Sequence, residues 1–173
     1  LGDGHVRGWR GKSKKAVVLS LNEDKFNKLL KFTPDQNITA TREKNVVKVH
    51  ICDTVFANWL LDNFGKGSEA KKIPAWCLSN EHKHLLLRGY IDTDGCKKES
   101  HCTINTVSKA LAFGVGDLAN TCGYVSSVAM IKTSDTTVIE GRTVNQRDYY
   151  QVRLFDKNLS RKSREYKGML LRT

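Results

Sequence analysis

The sequence lacks the features of membrane, collagen-like and disulfide-rich proteins. Its 173 residues include only two prolines, and no apolar run approaches the roughly 18 residues that a transmembrane helix needs. The five cysteines are odd in number and include no CxxC pair, which argues against a disulfide framework and a zinc knuckle. No signal peptide is recognised at the start of the chain. These absences predict a globular intracellular protein with reduced thiols.

Positive charge is abundant and is shared by both halves of the chain. Twenty-nine Lys and Arg residues against 18 Asp and Glu residues give a net charge of +11. Residues 1–86 contain 15 basic and 9 acidic residues, and residues 87–173 contain 14 and 9. An even surplus favours one long surface that binds a polyanion such as nucleic acid. A merely soluble cationic protein is the alternative.

The apolar pattern predicts two lobes of similar α/β construction, residues 1–72 and 73–173. The first half is predicted to run strand, strand, helix, strand, strand, helix, with strands at 16–21 and 45–52 and helices capped by Asn22 and Asp53. The elements predicted in the second half are a helix at 84–91, a strand at 102–107, a helix capped by Ser108, and strands at 124–132, 137–139 and 149–155.

One nonapeptide carries the most specific signal. Residues 87–95 read Leu-Arg-Gly-Tyr-Ile-Asp-Thr-Asp-Gly, which predicts a buried apolar helix with Gly89 allowing a second helix to approach. The helix ends in carboxylates, so Asp94 is fixed where a hard divalent cation would find oxygen ligands. Taken alone, the last four residues also suit an ordinary turn. An EF-hand is excluded, because a loop counted from Asp92 has Thr103 where Glu is needed.

This nonapeptide resembles the signature of the LAGLIDADG (DOD-type) homing endonucleases, which it matches at six of nine positions. Residues 71–78 resemble the Lys-x-Ile-Pro block that precedes the second motif in intein-type members. Residues 1–4 resemble the end of a first motif. Three blocks in the family's order make the resemblance specific over residues 1–95, and beyond them it is one of pattern.

The resemblance implies an α/β (α+β) fold with two pseudosymmetric αββαββα lobes, curved antiparallel DNA-binding sheets and motif helices at the lobe interface. It also implies that Asp3 and Asp94 bind Mg²⁺, for which Mn²⁺ or Ca²⁺ could substitute, and that the carbonyls of Gly2 and Thr93 assist. A monomer would then make a staggered break in double-stranded DNA at a long asymmetric site.

A cation beside the scissile phosphate is also expected. Lys71 is the candidate, because it matches the Lys-x-Ile-Pro block. Asp3 precedes Lys71 by 68 residues, and the same interval after Asp94 predicts Lys162 in the second lobe. Lys72 is the alternative to Lys71, and Lys157 and Lys167 compete with Lys162. Lys71 and Lys72 could also be linker lysines that contact only backbone phosphates.

Polar residues of the strands are expected to contact DNA, some at base edges and most at phosphates. In the first lobe they are Arg7, Arg10, Lys12, Lys14, Arg42 and Lys48. In the second they are Arg142, Gln146, Arg147 and Arg153, together with Tyr149 and Gln151.

The chain departs from the family pattern at its N-terminus, where the helix of the first motif is missing. Its absence predicts that Leu85, Leu87 and Ile91 are exposed. Arg88 stands where the signature has Ala and is expected to point away from the tight contact. Splicing residues, an N-terminal Cys or Ser and a C-terminal His-Asn, are not found in the sequence. The alternatives are a maturase-like RNA-binding protein or an inactive DNA-binding protein of the same fold, and a basic ribosome-associated protein.

Overall fold

The computed structural model describes residues 4–8, 14–32, 38–134, 136–139 and 141–156. The chain divides into two compact units, residues 1–67 and 68–173. The predicted lobe boundary after residue 72 stays a prediction, but Lys71 groups here with the second unit. Among the described residues, no helix has the length and apolar character to cross a bilayer.

The first unit has the predicted order of elements. They are β1 (Gly4–Gly8), β2 (Lys15–Leu21), α1 (Glu23–Phe32), β3 (Ile38–Glu43), β4 (Val46–Ile51) and α2 (Thr54–Phe64). The side chains of Asn22 and Asp53 each accept a backbone N–H at 2.9 Å, so both predicted helix caps are confirmed. Gly65 ends α2 with a φ of 84°, a conformation that favours glycine.

The strands of the first unit form an antiparallel sheet in the order β1-β2-β4-β3. Strand alternation places one set of side chains against the helices, where Leu21, Phe26, Val47 and Val49 form a buried cluster. Val17, Ile51 and Ala57 form a second cluster. The opposite face of the sheet is left with mostly polar residues.

The second unit contains three short elements that the sequence did not predict, at Trp76–Ser79, Gly95–Lys97 and Arg142–Asn145. Its elements are α3 (Trp76–Ser79), α4 (Lys83–Asp94), β5 (Gly95–Lys97), β6 (Cys102–Thr106), α5 (Lys109–Thr121), β7 (Tyr124–Ile131), β8 (Thr136–Ile139), β9 (Arg142–Asn145) and β10 (Tyr149–Asp156). The sheet order is β5-β6-β10-β7, and β8 and β9 form a separate two-stranded hairpin.

The two four-stranded sheets repeat one topology. In each, the strands are antiparallel and lie in the order first, second, fourth, third, with a helix between the second and third strands. The fold is therefore mixed α/β with a duplicated antiparallel sheet, as predicted. The β8–β9 hairpin is inserted between the third and fourth strands of the second sheet. The chain segment from the first to the fourth strand is therefore longer in the second unit than in the first.

Helix α5 is the centre of the second unit. The predicted cap Ser108 accepts the Leu111 N–H at 3.2 Å, and the inward residues Leu111, Val115 and Leu118 are almost completely buried. The helix packs on β7 and β10, so it provides a rigid base for the segments that cross it.

Helix α4 has one buried and one exposed face. Leu87 and Tyr90 are buried within the unit, where α4 packs against α5 and β6, whereas 56% of Leu85 is exposed. The predicted exposure of Leu85 is therefore confirmed, whereas the prediction that the helix is buried on most sides is wrong at this residue. The prediction that Leu87 is exposed is also wrong, because it lies on the face that its own unit covers. Arg88 is exposed, as expected.

Candidate active site

A cleft of about 290 Å³ in the second unit brings together Asp94 and Lys71, two residues singled out in the sequence. Asp94 is the last residue of α4 and is half-buried. Lys71 comes from the irregular segment before α3 and is also half-buried. The other lining residues are Ser68, Tyr90, Asn105, Thr106, Val107, Leu111 and Tyr149. An acidic and a basic residue therefore line one concave surface.

The two faces of α4 separate the two acids of the motif. Asp94 follows Leu87 and Tyr90 at helical spacing and so lies on the inward face, which leads into the cleft. Asp92 lies on the outer face, where it accepts a hydrogen bond from Lys97 at 2.8 Å and lies 3.8 Å from Arg88. This hydrogen bond raises the pKa of Lys97. The geometry selects Asp94 over Asp92 as the acid of the cleft.

Tyr90 contributes a neutral hydroxyl to the wall of the cleft. Burial raises the pKa of Tyr90 above its ordinary value, and the nearby negative charge of Asp94 raises it further. The phenol therefore stays protonated at neutral pH. It adds no second negative charge beside Asp94.

The oxygen-bearing residues of the cleft suit a hard divalent cation, but they provide only some of the ligands that such a cation needs. The lining residues include Asp94, Asn105 and Thr106, which carry oxygen groups, and no His or Cys, a composition that fits Mg²⁺ better than Zn²⁺. The C-terminus of α4 also favours positive charge. Within the described ranges, no group of three or more His, Cys, Asp or Glu residues is placed to hold a metal. A cation here would need water, phosphate or a further acid as ligands.

Thr93 supports the end of the helix. Its hydroxyl donates to the carbonyls of Gly89 and Tyr90 at 3.1 and 3.2 Å, which fixes its side chain along the helix. The carbonyls of the last helical turn have no N–H partner further along the helix. The Thr93 carbonyl is among these oxygens, so its predicted role as a metal ligand is compatible with the local structure.

Comparison with known proteins identifies a family whose domain includes most of the residues that line this cleft. The sequence profile of the LAGLIDADG-like domain matches residues 81–168, which include α4, the cleft acid and the second sheet. The chain belongs to the LAGLIDADG-like domain family. A 134-residue stretch is also 31% identical to the ATP-dependent DNA helicase Hel308 of Thermococcus kodakarensis, and covers 67% of this chain and 12% of the helicase.

A second relative has an unrelated name. A 100-residue stretch is 31% identical to an iron-sulfur cluster assembly SufBD family protein of Mycobacterium leprae, and covers 54% of this chain and 12% of that protein. The chain thus matches only a small part of each of these curated relatives. Among solved structures, mesophilic variants of the homing endonuclease I-DmoI match with a TM-score of 0.60 and 14% identity, over 99% of this chain and 92% of theirs. This likeness confirms the LAGLIDADG homing endonuclease fold.

The open face of the second LAGLIDADG sheet carries a hydrogen-bonded row of polar side chains. Register pairs Gln151 with Asn105 on β6, and Arg153 is two residues further along β10 on the same face. The Arg153 Nε–H donates to Gln151 Oε1 at 2.8 Å, and Gln151 Nε2 donates to Asn105 Oδ1 at 3.4 Å. Buried Val152 and Leu154 alternate with them. The face that α5 does not cover thus carries a polar row with one cationic side chain, beside apolar residues such as Ala129 and Val125.

The first sheet exposes a similar face. Four polar side chains lie on this face because they alternate with residues that face the helices. They are His5 and Arg7 on β1, and Lys48 and His50 on β4. Lys48 forms an ion pair with Glu43. Lys14 is exposed just before β2. The positions of Arg7, Lys14 and Lys48 are compatible with the predicted DNA contacts, which stay predictions.

Arg42 lies on the opposite face of this sheet from Lys48. Its partner in the register is the buried Val47, and its guanidinium lies 5.4 Å from the ring centroid of Phe26. It also forms a 2.8 Å ion pair with Glu23, and this hydrogen bond lowers the pKa of Glu23. Arg42 therefore packs over α1. This placement does not favour the predicted DNA contact.

Several predicted residues have no described side chain. Gly2, Asp3, Arg10, Lys12 and Lys162 lie outside the described residues, and the side chain of Arg142 on β9 is not described. Gln146 and Arg147 are exposed after β9, where Arg147 pairs with Glu69. The functions of all these residues stay predictions.

The interval that suggested Lys162 is affected by the inserted hairpin. The first sheet spans residues 4–51 from its first strand to the end of its fourth, whereas the second spans residues 95–156. Equal intervals from Asp3 and Asp94 therefore do not reach equivalent positions. Lys162 stays a prediction without the support of this interval.

Any residue could adopt the φ of −82° that Gly95 has at the end of the LAGLIDADG helix. Glycine is required there because neighbouring atoms leave no room for a side chain. A Cβ at Gly95 would collide with the Ile91 carbonyl and lie 2.8 Å from Cys102 Sγ. We expect Gly95→Ala to lower the free energy of unfolding by about 1–3 kcal/mol, measured by urea denaturation. Gly89→Ala is the matched control, because a Cβ there meets nothing within 4 Å. It should raise stability by up to about 1 kcal/mol; equal losses in both variants would contradict this account.

Proposed function

We propose that this chain is the endonuclease part of an intein, and that it makes a Mg²⁺-dependent staggered double-strand break at a specific site in DNA. The family and the homing endonuclease fold support a DNA-binding endonuclease. The single observation that carries the proposal is the cleft in which the inward acid of the motif, Asp94, and the lysine of the Lys-x-Ile-Pro block, Lys71, lie together.

The fold neighbour indicates the class of substrate. Structures of I-DmoI have been determined in complex with its target DNA in the presence of Ca, Mg or Mn. We transfer this substrate to the present chain because its own sheets have polar outer faces. The row formed by Arg153, Gln151 and Asn105 has donors and acceptors suited to base edges and phosphates. The net charge of +11 provides the long-range attraction to DNA.

The residues of the cleft have complementary roles in phosphodiester hydrolysis. When bound, a divalent cation supplies the positive charge that stabilises the phosphate in the transition state and orients a water molecule. Asp94 would hold this cation at the end of α4, with the Thr93 carbonyl beside it. Lys71 would stabilise the negative charge that develops on the leaving 3′ oxygen. Tyr90 is a neutral part of the wall and adds no negative charge beside the Asp94 carboxylate.

The duplicated topology supports Asp3 as the corresponding acid of the first unit. β5 begins at Gly95, directly after Asp94, and β1 begins at Gly4, directly after Asp3 in the sequence. The two acids thus occupy equivalent positions before the first strands of two sheets with the same strand order. We propose that each serves the cleavage of one strand.

The origin as an intein is supported by the relatives. Overlapping stretches of this chain, 67% and 54% of its length, are similar to 12% of a DNA helicase and 12% of an iron-sulfur cluster assembly protein. Two proteins with unrelated names are not expected to share a segment that performs their own activities. A segment inserted into different host proteins accounts for this distribution. The residues that would perform splicing are not assigned in this chain.

The test uses the intact polypeptide that contains this chain. It is incubated with Mg²⁺ and a duplex spanning the host gene joined across the insertion point. Because the segment is absent from this duplex, we expect cleavage of both strands near the junction, with a stagger that is mapped by end-labelling. The interrupted gene, which contains the insertion, is the control substrate and should stay intact.

Other outcomes identify the alternatives. Binding of the duplex without cleavage would indicate an inactive DNA-binding protein. Tight binding to structured RNA without cleavage of DNA would indicate a maturase-like protein. Cleavage of the control substrate at the same rate would contradict site-specific homing.

A further inference from the structure

Lys71 lies on a segment that has no regular secondary structure, yet the backbone at this point is held firmly. Residues 71–74 form neither helix nor strand. The Ser108 hydroxyl donates a hydrogen bond to the Lys71 carbonyl at 2.6 Å. Ser108 is 37 residues away in sequence and only 1% exposed. A buried hydroxyl thus anchors the residue that we propose stabilises the leaving group.

The same hydroxyl begins α5. It accepts the Leu111 N–H at 3.2 Å while it donates to Lys71. Its single proton is therefore committed to the Lys71 carbonyl, and a lone pair is committed to the helix. Because water is excluded at this site, both bonds are stronger than they would be at the surface.

A second contact holds the segment two residues further on. A Cβ at Gly114 of α5 would lie 2.9 Å from Ile73 Cβ and 3.3 Å from the Ile73 backbone nitrogen. The absence of a side chain at Gly114 thus lets the segment lie directly on the helix. Cys77, which follows in α3, is 1% exposed.

We propose that Ser108 and Gly114 are positioning residues for Lys71, which together fix its ammonium group within the cleft relative to Asp94. The proposal rests on the proposed function. α5 is itself immobilised in the core by Leu111, Val115 and Leu118, so the position of the segment is set by a rigid body. Misplacement of a catalytic group by about 1 Å can lower a rate by about 100-fold, which makes such anchoring consequential.

A purely structural role for Ser108, as a helix cap, makes a different prediction. Loss of a cap lowers stability, but it changes the cleavage rate of the folded protein little. Asp53 provides the matched control, because it caps α2 in the first unit by the same geometry and the structure describes no link from it to Lys71. Asp53→Ala removes a cap alone, whereas Ser108→Ala removes a cap and the anchor of Lys71.

The experiment compares four variants of the intact polypeptide under single-turnover conditions, well below their unfolding temperatures. Ser108→Ala is expected to cleave about 10- to 100-fold more slowly, with the dissociation constant for the target duplex within about twofold of the wild type. Gly114→Ala should show the same pattern, because it displaces Ile73 without touching the cap. Ser108→Thr retains the hydroxyl and should restore the rate to within about threefold. Asp53→Ala should cleave at the wild-type rate.

The outcomes separate this inference from the function on which it rests. If the wild type does not cleave, the proposed function is overturned. If the wild type cleaves and Ser108→Ala and Gly114→Ala both cleave as fast as the wild type, the positioning role is overturned while the endonuclease stands. A similar fall in rate for Asp53→Ala and Ser108→Ala would also overturn it, because cap loss alone would then explain the effect.

Discussion

Asp94→Asn is expected to lower the rate of DNA cleavage by about 1,000-fold while leaving DNA binding nearly unchanged. The amide keeps the shape of the carboxylate but loses the negative charge that would hold a divalent cation at the end of α4. Affinity for DNA should not fall, because the substitution removes a negative charge that repels the phosphates of DNA. The rate is measured by single-turnover cleavage in Mg²⁺, and the affinity by a gel shift in Ca²⁺.

Asp92→Asn is the matched control for this experiment. It makes the same chemical change two residues earlier, on the outer face of α4, where Asp92 pairs with Lys97. An exposed ion pair is worth less than about 1 kcal/mol, so the rate should change by less than about fivefold. If Asp94→Asn cleaved at the wild-type rate, or if both variants lost activity equally, Asp94 would be removed from the site.

Lys71→Met is expected to lower the cleavage rate by about 100-fold. Methionine keeps most of the length and apolar surface of the side chain and removes its charge. The effect should fall on the cleavage step, because Lys71 lines the cleft beside Asp94 and is half-buried there. The cleavage rate and the dissociation constant are measured on the same duplex and compared.

The neighbouring Lys72 provides the comparison. It is exposed and does not line the cleft, so Lys72→Met should affect DNA affinity modestly and the cleavage rate little. The reverse result, with Lys72→Met inactive and Lys71→Met active, would transfer the proposed role to Lys72. Equal effects of Lys71→Met on rate and affinity would indicate a phosphate contact instead of a role in the reaction.

Local signals predicted the elements well. Asn22, Asp53 and Ser108 are small polar residues directly before apolar periodic segments, and each proved to be a helix cap. The strands followed from alternation, because each sheet has one buried face. The short elements α3, β5 and β9 were missed, since three or four residues carry too little periodicity to be recognised.

The site was only partly accessible to sequence reasoning. The motif identified Asp94 and Lys71, but their common cleft depends on how the chain packs. Asn105 was not recognised, although its alternation with the buried Ile104 was a usable signal. Ser108 was recognised only as a cap, because its bond to Lys71 spans 37 residues. Leu87 was misjudged, since a helical pattern does not tell which partner covers each face.

The linked side chains of Arg153, Gln151 and Asn105 bear on attempts to redirect this protein to new sequences. Groups that share hydrogen bonds do not contribute independently, so their substitutions are not expected to be additive. Replacing Gln151 alone would remove the acceptor that orients the guanidinium and the donor that engages the amide. Libraries that vary one position at a time would therefore sample mostly disrupted rows, and altered specificity is better sought by randomising the three positions together.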